Sequence, residues 1–110
     1  MDKRTVEQKV VNVVNFMAER LRMNGLNVSE IIVFGSYAAG HAADDSDIDI
    51  VVVSDDFRNK NIFQRVEMIG DTHAATISEF MIPLDILLKT SEEIAGIGFI
   101  RQKGIVVFAA

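Results

Sequence analysis

Gly35 and Ser36 stand ten residues ahead of Asp47-Ile48-Asp49, and Ile50-Val51-Val52-Val53 follows at once. These types at this spacing suit one kind of chemistry. Glycine lets a backbone turn come close to a ligand. At the start of a helical turn, the N–H groups around Ser36 and Tyr37 point at an anion of phosphate size, and the Ser36 hydroxyl adds a donor. Asp47 and Asp49, two apart in an extended run, share a face with their Cα atoms roughly 7 Å apart. Like charges that close raise each other's pKa unless a cation lies between them. Carboxylates in this arrangement suit Mg²⁺, which fills its remaining positions with water and substrate phosphate. A phosphate turn beside a carboxylate pair is what a nucleoside triphosphate and its metals require. Taken singly, Gly-Ser is a common strand-to-helix turn and Asp-x-Asp a common solvated strand start, so their register carries the weight.

Asp85 repeats the situation inside Pro83-Leu84-Asp85-Ile86-Leu87-Leu88. A charge in an apolar strand is costly unless it is paired or metal-bound. If this strand lies beside the one carrying Asp47, three carboxylates meet, enough to bridge two Mg²⁺ ions, one on the triphosphate and one lowering the pKa of an attacking hydroxyl. Two other phosphate and metal motifs are excluded. No Gly-Lys-Ser/Thr is present, so the turn is not a P-loop. Asp45, Asp47 and Asp49 imitate the start of a calcium loop, but Ile50 stands where that loop needs Gly and Asp56 where it needs Glu.

The elements that must position these groups follow from periodicity. Val6, Val10, Val13, Val14, Met17 and Leu21 predict an amphipathic helix over 4–23, stopped by Asn24-Gly25. Ile31 to Phe34 reads as a buried strand running into the Gly35 turn, and Tyr37 to Ala39 as one helical turn. A polar loop over 41–46 leads to a second strand over 47–53. Residues 61–79 predict a helix interrupted at Gly70. Leu84 to Leu88 is a third strand. Thr90 and Glu93 have capping-box spacing, predicting a last helix that ends near Gly104. Ile105 to Phe108 is a further strand or an apolar docking tail. Helices alternate with strands, so the class is α/β, with one domain over 1–110.

Composition bounds the function. The chain of 110 residues has no cysteine, which excludes disulfides and thiolate metal sites. A net charge of −5 without a basic stripe disfavours nucleic acid as a partner. The beginning of the sequence has no signal-peptide pattern and no apolar run long enough for a membrane span, so a cytoplasmic location is expected.

The runs Val33-Phe34-Gly35-Ser36-Tyr37-Ala38-Ala39-Gly40 and Asp45-Ser46-Asp47-Ile48-Asp49-Ile50-Val51-Val52-Val53 resemble the minimal nucleotidyltransferases of prokaryotes, within the DNA polymerase β-like nucleotidyltransferase superfamily. The resemblance spans roughly residues 28–90. It implies a small mixed β-sheet flanked by helices, with Gly35 and Ser36 holding the triphosphate, Asp47 and Asp49 binding magnesium, and Asp85 as the third carboxylate, which activates the nucleophile. It also implies ATP as the nucleotide and a small helical HEPN-type protein as partner, in the manner of a toxin–antitoxin pair whose nucleotidyltransferase moves AMP onto a tyrosine. Members often carry Arg where this chain has Ala39, with His41 a partial substitute. That departure keeps a second reading open, an antitoxin-like subunit that neutralises its partner by contact.

Overall fold

In the computed structural model, which describes residues 6–110, a four-stranded sheet has the order β3-β2-β1-β4. The strands are β1 (Glu30–Phe34), β2 (Ile48–Val53), β3 (Leu84–Lys89) and β4 (Ile105–Ala109). β1 runs antiparallel to both β2 and β4, whereas β2 and β3 are parallel. The sheet is mixed and helices cover both faces, as expected of the class.

The long helices α1 (Gln8–Met23) and α3 (Ile62–Phe80) cover one face. Val10, Val13, Val14, Met17 and Leu21 form the buried stripe of α1 and meet Ile31, Val33, Ile48, Ile50 and Val52 of the sheet. Each fully buried aliphatic side chain contributes about 1.5–3 kcal/mol, so this face dominates the stability of the fold. Phe16 and Phe80 join the two helices edge to face, their ring centroids 5.4 Å apart. α1 ends at Met23 as its periodicity predicts but begins only at Gln8, with extended Glu7 as its N-cap and Val6 ahead of the helix rather than on its stripe; the predicted residues Arg4 and Thr5 lie outside the described residues.

α3 does not break at Gly70. A mid-helix glycine costs about 1 kcal/mol, and burial of Ile69, Thr72 and Thr76 on its two sides offsets that cost. The mixed spacing has another origin: Ile62, Phe63, Val66 and Ile77 face solvent on this helix.

The second face is covered only by short segments, α4 (Ser91–Ala95) and α5 (Gly98–Lys103). Here the expectation of one continuous helix is corrected. The Thr90 cap is real: the Thr90 Oγ1 accepts the Glu93 N–H at 3.1 Å and the Glu93 carboxylate accepts the Thr90 N–H at 2.8 Å. The helix nevertheless stops before Gly96. Ile94, Ile97 and Ile100 all pack beneath Ile32, Val51 and Val53. In an unbroken α-helix residues three apart rotate away from a flat surface by about 60° per step. A break between Gly96 and Gly98 lets all three reach the sheet. Ile105 to Ala109 is an edge strand of that sheet rather than a free tail.

Arg65 ties these parts together near the C-terminal end of β3. Its guanidinium donates to the Glu93 carboxylate at 2.7 and 3.3 Å, to the Leu88 carbonyl at 3.0 Å and to the Lys60 carbonyl at 2.9 Å. These contacts hold the Glu93 carboxyl down to about 2, the Arg65 hydrogen bond contributing most. A depressed carboxylate stabilises the fold above its unfolded pKa. That contribution fades as pH falls from 4.5 toward 2. Arg65→Ala is expected to cost about 2 kcal/mol in urea titration at neutral pH. Glu93→Gln should flatten the loss of stability within that acid window, and an unchanged acid profile would count against the pairing.

Candidate active site

The sheet face beneath α4 and α5 is covered at one end only. Val51, Val53 and Leu87 lie under the helices. Asp49 and Asp85 are on the same strands toward their open N-terminal ends. They are register partners in the parallel β2–β3 pair, and adjacent strands lie about 4.8 Å apart. On its other side Asp49 pairs with Phe34 of β1. Phe34, Asp49 and Asp85 therefore form one row across three strands. Asp47 sits one residue before β2, exposed at the mouth of the row. The strand carrying Asp85 thus lies beside the strand carrying Asp49, and the three expected carboxylates gather at one end of the sheet.

Gly35 completes the row. It opens the helical turn α2 (Gly35–Ala39) directly after Phe34, with φ +69°. The Asp49 carboxylate occupies the space in which a Cβ at position 35 would stand, its Cγ only 3.0 Å from that point. The absent side chain therefore serves the carboxylate as well as the turn. Ser36 lies within α2 and does not cap it; the N-cap is Phe34, with no side-chain hydrogen bond to the first turn. Gly35 and Ser36 are thus next to the carboxylates, as the spacing predicts.

The electrostatics of the row are unbalanced. Partial burial, then the Asp85 charge, then the Asp47 charge push the Asp49 carboxyl above its ordinary value. Among the described residues, the ion pairs of lysine and arginine engage Asp55, Glu92, Glu93 and Glu30, none of these three. A like-charged carboxylate row without a basic partner fits a divalent cation, and its donors are all hard oxygens. Among the described residues, no group of three or more His, Cys, Asp or Glu is assembled so that it could hold a metal ion.

Beside the turn, a cleft of about 780 Å³ is lined by Gly35, Ser36, Ala39 and His41 on one wall and by Phe99 and Lys103 of α5 on the other. Phe99 and Lys103 carried no signal in the sequence, because only the break at Gly96–Gly98 turns α5 toward α2. Other polar side chains of the strand ends and the turn are engaged otherwise. Lys89 pairs with Val53 at the far end of β2, and Arg58 is engaged with Glu92 and Asp55. Tyr37 is 4% exposed, so it packs the turn and does not stack on a ligand. The Lys9 ammonium lies 5.4 Å from its ring centroid.

Comparison with known proteins agrees with this geometry. The model of the nucleotidyltransferase domain family matches residues 12–105. Among solved structures, a Sulfolobus solfataricus protein assigned to the nucleotidyltransferases superposes with a TM-score of 0.66 at 21% identity, over 98% of this chain and 93% of that one. A toxin–antitoxin complex with AMP-PNP gives a TM-score of 0.61 at 22% identity, over 87% of this chain and 73% of that one. A tri-AMPylated Shewanella oneidensis HEPN toxin in complex with MNT antitoxin gives 0.55 at 19% identity, over 90% of this chain and 71% of that one. No curated protein matches the sequence. At these identities the superpositions speak for the fold, while the family match covers most of the chain and every residue of the carboxylate row: this protein belongs to the nucleotidyltransferase domain family.

Proposed function

We propose that this chain transfers a nucleoside monophosphate, AMP from ATP, to a hydroxyl of a protein partner. The observation that carries this reading is the row in which Gly35 makes room for Asp49 and Asp49 stands in register with Asp85. Gly35 and Ser36 would bind the triphosphate through backbone N–H groups and the Ser36 hydroxyl. Asp47, Asp49 and Asp85 would hold Mg²⁺, which when bound would neutralise the phosphates and the carboxylate row. The acceptor hydroxyl would attack the α-phosphorus and give its proton to the Asp85 carboxylate, an O–P bond would form, the bond to the oxygen bridging the α- and β-phosphorus would break, and pyrophosphate would leave. The exposure of Asp85, greater than that of its cross-strand partner Asp49, supports its role as the carboxylate that would activate the incoming hydroxyl.

The acceptor we favour is a tyrosine of a HEPN-type protein. Structures similar in fold include an MNT antitoxin with its AMPylated HEPN toxin. A partner also has a surface to use, since Ile62, Phe63 and Val66 at the start of α3 leave a contiguous apolar patch, with Phe63 76% exposed. The same patch supports the second reading, neutralisation by contact.

Incubation with labelled ATP, Mg²⁺ and a HEPN-type protein separates the two. Label should move to the partner with wild-type protein and fail to move with Asp47→Asn. Transfer that survives this substitution would remove the catalytic assignment. Protection of cells from the partner that survives it would favour contact alone.

A further inference from the structure

We infer that Phe99 is the platform on which the nucleobase stacks, and that the site therefore discriminates weakly between bases. The inference rests on the nucleotidyltransferase reading and adds which residue would carry the base and how narrowly the site would choose it. Three observations carry it. The cleft is continuous with the Gly35-Ser36 turn, so a nucleotide whose phosphates lie at that turn has room for its base in the same space. Phe99 is 60% exposed although its neighbour Ile100 is 1% exposed. A phenylalanine left in water forgoes the gain of burial, and here the helix is rigid enough to present it. Ile100 is anchored among Ile32, Val51 and Val53, Arg101 pairs with Glu30 at 2.7 Å, and a Cβ at Gly104 would meet Ile32 Cγ2 at 2.6 Å, so α5 closes directly against the sheet.

The third observation concerns what the cleft lacks. None of its lining residues is Asn, Gln, Asp or Glu, the side chains that pair with the edges of adenine and cytosine, and Lys103 alone is of the type that pairs with the edge of guanine. Its polar side chains are Ser36, His41 and Lys103. An aromatic face with so few edge readers accepts any base, since every base has a π-face. Purines, with the larger stacking area, should bind more tightly than pyrimidines.

The test is titration of the full chain, in Mg²⁺, with ATP, GTP, CTP, UTP and inorganic tripolyphosphate. ATP and GTP should bind within a few-fold of each other and more tightly than tripolyphosphate. Phe99→Ala should weaken ATP and GTP about tenfold while leaving tripolyphosphate unchanged. Phe99→Trp should restore the loss, and Phe99→Leu, which keeps apolar bulk without the π-face, should behave like alanine. ATP bound equally by wild type and Phe99→Ala would overturn the platform and leave the nucleotidyltransferase reading standing. A strong preference for one base would overturn the weak discrimination. Failure of the wild type to bind any of the five probes would overturn both the platform and the reading beneath it.

Discussion

Gly35→Ala is expected to lose about 3 kcal/mol of stability and at least about 100-fold in nucleotidyl transfer. Two causes add. A left-handed backbone costs an L-residue roughly 1–2 kcal/mol, and φ at Gly35 is +69°. The new methyl also enters the space held by the Asp49 carboxylate. Overpacking of this kind costs about 1–3 kcal/mol, and the carboxylate must move to relieve it. A reacting group displaced by about 1 Å can lose two orders of magnitude in rate. The double variant Gly35→Ala/Asp49→Ala separates the causes. Its urea midpoint should lie above that of Gly35→Ala, since the second substitution empties the contested space. The two changes should then be non-additive, as expected for groups in contact. Transfer should stay lost. A Gly35→Ala protein that melts and reacts like wild type would show that the carboxylate does not need this cradle.

The second large effect runs in opposite directions for stability and activity. Asp49→Asn should abolish transfer, by about 1,000-fold or more, and yet raise the melting temperature of the metal-free protein. The sign follows from the direction of the pKa. Burial and the charges of Asp85 and Asp47 raise the Asp49 carboxyl above its ordinary 3.8, so the folded chain holds that proton more tightly than the unfolded chain does. Ionisation therefore costs stability as pH rises from 3.8 through the raised value, and at neutral pH the cost is fully in place. Asparagine keeps the shape and removes the charge. The melting temperature should therefore rise, since the substitution relieves that repulsion and the cost of partial burial. Wild type should recover the same stability by binding Mg²⁺ with ATP, because a ligand that binds only the folded state raises its melting point by mass action. Asp49→Asn should show little of that ligand-dependent gain. If the variant melts lower without metal, the carboxylate row is better compensated than the geometry indicates. If it transfers label at the wild-type rate, the proposed role of Asp49 fails.

These two variants bear on different parts of what the amino-acid sequence conveys. The Gly-Ser turn, the buried run after Asp49 and the stripe Val10 to Leu21 were legible because each is a signal within a few residues: a glycine before a helical turn, a continuous apolar strand, a three-to-four repeat. The Thr90–Glu93 box was legible for the same reason, since its hydrogen bonds close within one turn. Where two local signals competed, packing decided. Gly70 reads as a break and is not one, because both sides of it are held by burial. Gly96 and Gly98 mark a break that the capping box hides, because three isoleucines three residues apart have to lie flat on the sheet.

By itself, the sequence determined the family to which this protein belongs and marked the Gly35-Ser36 turn and the carboxylates Asp47, Asp49 and Asp85 as the groups proposed to serve its chemistry. Only the tertiary structure decided that Asp85 stands in register with Asp49, that Gly35 is the cradle for the Asp49 carboxylate, and that Phe99 and Lys103 face the same cleft as Ser36. The reason is one of range. A turn or a cap is fixed by hydrogen bonds among neighbouring residues. Strand order, register and the facing of two short helices are chosen by the burial of side chains far apart in the chain, a sum that no local pattern displays.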